Sequence, residues 1–459
     1  PLSFEVNPGN NSPAKKKTIG YITYTDTDLY IGIHAFDEPK NIRASIRSRD
    51  DFSMYLQDDI VSIRFDTFAD GRNNYILVAN PFGSQFDVRA INAVTDDDRY
   101  DGSFNMDFET EGSIVSDGFQ VEFKIPFASL PFPNGKNQKW HFNLGRKYFD
   151  ENNVEVEVQS QRFDRNNPCE VCQTSQELIL DNITIKKRVE LLPYIAGNLT
   201  GKRPAQGAEI DYNSFKPNTG LGLNLDLSKN SGLELTLNPD FSQVEADVTQ
   251  IDVNSSFALE YPERRPFFNR GTDIVNFTDG AFYSRSINNP LVSSKLLSQG
   301  KNSRIYFLTA LDQNSPYQIA GEDRSYLGQG GRSFVNVFRY QRLVNKNTRL
   351  GIFTTNRYYQ EGGYGNLFAT DGWFLISKNW RLTYELLLNF NEEPQANWIT
   401  SEDTIRGRSV ALNQEKYTGS AFYFQLYRNT EHWKSYFFFR NINPEYQANV
   451  GFVVKNNRR

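Results

Sequence analysis

Two cysteines three residues apart, Cys169 and Cys172 in NPCEVCQT, are the first residues whose spacing suggests chemistry. Such a pair can ligate zinc, pass electrons, anchor a haem or close a small disulfide. Zinc takes two further ligands, and His34, His141 and His432 are scattered singly. A haem anchor places His directly after the second cysteine, where Gln173 stands. A redox pair usually caps a helix in an alternating α/β chain, which this is not. A loop-stapling disulfide or two free thiols remain, the former favoured by an oxidising compartment. Glu245 with Asp247, or Glu260 with Glu263, supply the carboxyl pairs of glycoside hydrolysis, which stand roughly 5–10 Å apart across a sugar cleft. Acidic pairs are ordinary among 55 such residues, and no GxSxG, HExxH or Walker loop stands out. Asp58, Asp59 and Asp66, with Asp70 nearby, offer oxygen ligands for calcium. Strand-end acids facing water are the plainer reading.

The elements that position these residues follow from composition and period. The 459 residues carry 50 basic and 55 acidic side chains, a net charge of -5. Nucleic-acid binders usually show a basic surplus, so a nucleic-acid partner is not expected. No apolar run approaches the roughly 18 residues of a spanning helix. A membrane β-barrel stays open despite the mean hydropathy of -0.59, because only alternate residues of its strands face lipid. The aromatic content, 36 Phe, 24 Tyr and 5 Trp, suits a membrane interface as well as a soluble sandwich.

From Thr18 to about Lys186 the chain reads as short alternating strands with frequent turns, for example DLYIGIHAF, DDIVSIRFDTF and DGFQVEFKIPF. That grammar predicts an antiparallel sandwich over 1–186. After Lys187 the strands lengthen. Leu221, Leu223 and Leu225 oppose Gly222, Asn224 and Asp226, and after SKNSG, Leu233 and Leu235 oppose Glu234 and Thr236. Leu382, Tyr384, Leu386 and Leu388 oppose Arg381, Thr383, Glu385 and Asn389, and Tyr446, Ala448, Val450, Phe452 and Val454 make a further run. Both a second soluble β domain and a membrane barrel have one apolar face. Strands of roughly 9–11 residues match a bilayer, and charges at mid-strand suit a watery lumen. The expected fold class is therefore all-β: an antiparallel sandwich over 1–186, then a transmembrane antiparallel barrel over 187–459.

The stretch NPDFSQVEADVTQIDVNSSFALEYPERRPFFNRGTDI at 238–274, followed by FYSRSI, is more specific than any periodicity. It resembles the signature of a family of uncharacterised bacterial outer-membrane β-barrel proteins. In them a domain similar to family-nine carbohydrate-binding modules precedes the barrel. LYIGIHAFD, RSRDD, DDIVSIRFDTF, NPFGSQFD, DGFQVEFKIPFASLPF and WHFNLGR follow that family's order. By that resemblance the opening strand of the module is cut short and the barrel continues past Arg459, so the barrel is expected to be incomplete here. It also implies an outer-membrane location in a Gram-negative bacterium, with lipid as a partner. The function it implies is glycan binding or uptake at the envelope, without a demonstrated reaction. The alternatives are a structural or assembly component whose sandwich docks an envelope protein, and a carbohydrate-active hydrolase.

Sugars stack on exposed aromatic rings. Trp140, the one tryptophan in 1–186, falls in the core by the resemblance, and Phe104 stands where the family often has tryptophan. Tyr55, Phe82, Phe104 and Arg146 are then the candidates for polysaccharide contact, each weighed against plain packing. In 238–274 the charges Asp240, Glu245, Asp247, Glu260, Glu263, Arg264 and Arg265 are too many to face lipid. The segment is expected to fold inward as a charged network within the lumen.

Overall fold

The computed structural model describes all residues except 92–99, 102–105, 134, 168, 184–188, 200, 204–206, 214, 229, 240–256, 259, 261–262, 264, 301, 346, 406 and 431. The chain divides into two compact units. One comprises Pro1–Lys186, Leu375–Leu382 and Gln425–Phe437; the other comprises Lys187–Phe374, Thr383–Phe424 and Phe438–Arg459.

The first unit is a sandwich of antiparallel sheets. The smaller sheet runs in the order Thr18–Tyr24, Asp28–Phe36, Gly118–Pro126, Glu109–Val115. The larger one centres on Gln138–Phe149, flanked by Ile60–Asp66 and Glu155–Gln159, and continues from Ile60–Asp66 to Asn73–Ala79 and Gln85–Ile91. Alternation decides what each strand buries: Leu29, Ile31, Ile33 and Ala35 point inward, as do Val121, Phe123 and Ile125 across from them. They meet Ile63, Phe65, Leu77 and Trp140 of the larger sheet in one core. Trp140 is fully buried, with Phe65 and Phe127 each 5.9 Å away edge-on. Asn73–Ala79 is buried on both faces, because a second cluster covers its outer side: Met54, Ile76, Val78, Val88, Cys169 and Val171. Cys169 and Cys172 form a disulfide with their Cα atoms 5.4 Å apart, and Cys169 belongs to that outer layer.

The second unit is built on one eleven-stranded sheet in which every strand lies beside its neighbour in this series: Val189–Asn198, Lys216–Ser228, Ser231–Leu237, Pro290–Gln299, Ser303–Asp312, Ser333–Asn345, Thr348–Tyr359, Tyr364–Ser377, Trp380–Glu392, Lys416–Asn429 and Lys434–Ile442. The pairings described are antiparallel, and among the described residues the first and last strands do not join. The expected barrel is thus seen as an open antiparallel sheet.

One face of this sheet is covered by two segments of its own chain. Phe268, Ile274, Val275, Phe277, Ala281 and Ile287 from one, and Tyr446, Ala448 and Val450 from the other, pack on Tyr306, Leu308, Val335, Val337, Phe353 and Leu387 of the strands. The run at 446–454 is therefore not the strand its alternation suggests. Its apolar residues pack against 274–287 instead: the Tyr283 N–H donates to the Val450 carbonyl (2.9 Å), and the Phe452 N–H to the Gly280 carbonyl (2.9 Å). The approach needs glycine. Gly280 has φ +62°, and a Cβ there would collide with the Phe452 carbonyl oxygen.

Gly280→Ala is expected to cost more than about 1 kcal/mol and to loosen this internal layer. Limited proteolysis should cut faster within 270–287 and 443–459 while sandwich fragments keep the wild-type rate. Unchanged cutting would show that the close approach does not hold the layer.

Candidate functional site

The loop from Arg43 to Asp58 is drawn onto the larger sandwich sheet by its polar groups. The Asp59 N–H donates to the Arg43 carbonyl (2.7 Å), the Arg47 N–H to Ser84 Oγ (3.0 Å) and the Asp50 N–H to the Gln85 carbonyl (3.0 Å). Asp58 is the staple: its carboxylate accepts from Arg47 Nε and Nη2, both at 3.0 Å, from Asn80 Nδ2 (2.9 Å) and from the Ser45 N–H (3.3 Å). So anchored, the short helix Ser53–Gln57 buries Met54 in the outer layer, leaves Leu56 and the preceding Phe52 in solvent and keeps Tyr55 36% exposed. The Phe52 and Tyr55 rings stack at 5.9 Å, only 17° from parallel, and Phe86 lies 6.2 Å from Phe52. Lys147 holds the base, donating to the Tyr55 carbonyl with its ammonium 4.9 Å from the Tyr55 ring. Gln57, hydrogen-bonded by Arg47 (2.9 Å), and Gln85, hydrogen-bonded by Arg49 (3.0 Å), add amides to this loop-and-sheet region. Exposed rings with amides and guanidinium groups nearby are a surface on which a sugar can stack and bond.

Of the residues considered for polysaccharide contact, Tyr55 lies in this cluster, and its neighbours Phe52, Leu56 and Phe86 are not among those the sequence singles out. FSMYL reads as one helical turn, and i, i+3 spacing would have paired Phe52 with Tyr55. Phe82 is exposed on the turn after Asn80, whose Oδ1 accepts from the N–H groups of Phe82 and Ser84, both at 3.0 Å. Among the described residues it has no ring contact with Phe52 or Tyr55. Phe104 lies outside the described residues. Arg146 is corrected: it is fully buried and ties the two sheets together rather than facing a ligand. Its Nη1 donates to Thr18 Oγ1 (3.2 Å) and the Phe36 carbonyl (3.0 Å), and its Nη2 to Asp37 (2.7 Å).

The three aspartates considered for calcium are not brought together, and among the described residues no three His, Cys, Asp or Glu side chains form a metal-sized group. Asp58 is engaged by Arg47. Asp66 accepts from the Gly71 (2.7 Å) and Phe68 (3.3 Å) N–H groups and so pins the turn beside Cys172. Asp59 is buried with neither oxygen hydrogen-bonded in the structure. Burial pushes its carboxyl up to about 6, against a partial pull down from Arg146. A cleft of about 430 Å³ opens elsewhere in the sandwich, between Asn10 and Asn11, Arg162–Asn166, and Cys172, Gln173 and Ser175. Gln173 and Asn11 already bond its rim: Asn11 Oδ1 accepts from the Phe163 N–H (2.7 Å) and Gln173 Oε1 from the Asp164 N–H (2.7 Å).

In the second unit the sheet is inverted relative to a soluble one. Its covered face mixes its apolar cluster with buried ionisable side chains: Lys295 and Arg357 are each 0% exposed, and Glu234, Arg339, Asp371, Arg381 and Glu385 are buried. Its open face is apolar: Ile352 is 53% and Phe368 52% exposed, with Leu386, Leu388 and Phe390 beside them on the next strand. The buried charges bond the covering segments. Lys295 pairs with Glu234 (2.8 Å) and donates to the carbonyls of Phe267 and Arg270; Arg339 pairs with Asp371 (2.5 Å) and donates to the Ile274 carbonyl (2.9 Å). Arg357 donates to the Ser286 carbonyl (2.8 Å), and Glu385 accepts from the Thr278 N–H (2.9 Å). Of the charges expected to form a network within a lumen, Glu263 and Arg265 are buried and paired with each other. They pair at 2.7 Å, and Arg265 also donates to the carbonyls of Ser284 (2.8 Å) and Ile287 (2.7 Å). Glu260 is exposed. Asp240, Glu245, Asp247 and Arg264 lie outside the described residues.

Residues 186–313 match a family described as a domain of unknown function, DUF5916. No curated protein matches the chain. Among solved structures it is similar to a family-9 carbohydrate-binding module from Caldicellulosiruptor kristjanssonii in complex with cellotriose. The match is 16% identical, covers 40% of this chain and 84% of that one, and has a TM-score of 0.26, too low to argue from.

The pH dependence of the sandwich follows from Asp59. In the folded chain its carboxyl keeps a proton up to about 6, whereas the unfolded one loses it near 3.8. The folded state therefore binds more protons in between, and stability falls as pH rises from about 4 to about 6. Asp59→Asn should remove that fall, gaining roughly 2 kcal/mol more at pH 7.5 than at pH 4.5 relative to wild type. Hydrogen exchange of Gln138–Phe149 in the full chain reads it; equal gains at both pH values would contradict the assignment.

Proposed function

We propose that this chain is an outer-membrane β protein of a Gram-negative bacterium whose long sheet forms the wall of a barrel, with an internally packed layer and a glycan-binding sandwich. The inverted sheet carries the reading. Burying a charge costs free energy unless it is paired and hydrogen-bonded, and exposing rows of Leu, Ile and Phe to water costs about 25 cal/mol per Å². A soluble sheet would avoid both. A sheet wetted by acyl chains on one face, and backed on the other by chain that bonds its ionisable side chains, accommodates both. Strand lengths fit as well: Thr348–Tyr359 and Trp380–Glu392 are long enough for a tilted crossing.

The internal layer narrows or closes whatever passage the wall encloses, and its charge pairs make it part of the fold. For the sandwich, the Phe52–Tyr55 stack supports polysaccharide binding. Docking of an envelope protein on that surface is the competing outcome. Hydrolysis finds less support, because Glu263 is already paired with Arg265 and Glu260 is exposed.

Two experiments test the reading. Leu388→Arg puts a cation on the open face and should cost about 2–4 kcal/mol of folding in a bilayer, near zero if the position lies at the interface. The expectation is that wild type stays in the membrane pellet after carbonate washing and that the variant is depleted from it. A wild-type chain that is monodisperse without detergent would contradict the membrane assignment. Phe52→Ala and Tyr55→Ala should each weaken retention of the detergent-solubilised chain on insoluble polysaccharide at least tenfold, at unchanged exchange protection of Gln138–Phe149. Wild type passing a polysaccharide panel unretained would favour the protein-docking alternative.

A further inference from the structure

The strands of the long sheet are joined very unequally at their two ends. At one end the connections are residues 229–230, 300–302, 346–347, 378–379 and 430–433. At the other, four of the five are long, 199–215, 238–289, 313–332 and 393–415, and the fifth is the turn 360–363. The long connections carry structure of their own: the hairpin Pro316–Ala320 with Ser325–Gln329, and the pair Thr404–Ile405 with Arg408–Ser409. Tyr317, Ile319, Tyr359, Ile399, Val410 and Leu412 share an apolar cluster there, and Arg408 pairs with the buried Glu393 at 2.7 Å. Among the described residues the short connections hold no strand or helix.

The chain enters the sheet at the short-turn end. Val189, at the start of the first strand, pairs with Leu225, which pairs with Leu233, close to the Ser228–Ser231 turn. The last sandwich strand ends at Leu180, so residues 181–188 are all that lies between the two. Fully extended, so short a linker reaches at most about 29 Å. The hydrocarbon core alone is about 30 Å thick, and the covered face of the sheet is already occupied by its own segments. The linker cannot deliver a folded sandwich to the far side.

Resting on the membrane reading above, we infer that everything before Val189 remains on the short-turn side, which in single-chain bacterial outer-membrane barrels is the periplasm. The Phe52–Tyr55 surface then meets glycan inside the envelope, not capsule or other polysaccharide outside the cell. Peptide tags inserted after Asn152, and separately after Asn137, report the sandwich; a tag after Glu402 reports the long connections. Antibody applied to intact cells should reach the tag after Glu402 at once and the sandwich tags only after the outer membrane is permeabilised. A sandwich tag labelled in intact cells, or a tag after Glu402 that needs permeabilisation, overturns the inference. Recovery of the untagged chain in the soluble fraction would instead overturn the membrane reading on which it rests.

Discussion

The rest of the structure depends on one constraint: the long sheet sends its ionisable side chains, among apolar ones, toward its covered face and leaves rows of hydrocarbon on its open one. A buried ionised group is tolerable only with a partner of opposite charge and with donors or acceptors for its remaining sites. Here those partners come largely from backbone. Phe267, Arg270, Ile274 and Ser286 supply carbonyls, and Thr278 an N–H, to side chains on the strands. Wall and inner layer are therefore a single energetic unit. Removing the layer would take from Arg357 and Glu385 the backbone groups they bond and leave Lys295 and Arg339 with only their ion pairs, and filling the strands with leucine on both faces would remove the side chains that bond the layer.

The same logic, at smaller scale, shapes the sandwich. Arg146 is buried between sheets with Thr18, Phe36 and Asp37 meeting its two terminal nitrogens, and Asp58 holds down the loop that carries Phe52 and Tyr55. Positions that looked like ligands for sugar or calcium are in these cases the fasteners of the surface where binding is proposed. That is a physical consequence of burial: a guanidinium or carboxylate so engaged holds backbone in place rather than facing a ligand.

Much of the architecture was legible from period alone. The leucine rows around 221–237 and 382–390 lie on strands as read, with Glu234, Arg381 and Glu385 on the covered face, because side-chain alternation in a strand leaves little freedom. Trp140 sits in the core, as the resemblance rather than the period implies, and Cys169 is joined to Cys172, one of the two outcomes the spacing leaves open. The run at 446–454 misled because alternation records only which side chains are buried, and Tyr446, Ala448 and Val450 are buried against 274–287 rather than by sheet pairing. Arg146 misled for the opposite reason, since one polar residue in a strand gives no sign of whether its partners lie across a core or in solvent. Phe52 and Phe86 went unread because the platform joins a helical turn to a strand some thirty residues later in sequence.

The central claim is that the open face of the sheet is wetted by lipid. Nitroxide labels placed singly at Ile352, Phe368 and Leu388 of the full chain in lipid vesicles report it through collision with oxygen and with a water-soluble nickel chelate. The account predicts strong relaxation by oxygen and little by the chelate at all three. Faster relaxation by the chelate, or protection from both reagents as inside a protein core, would contradict it.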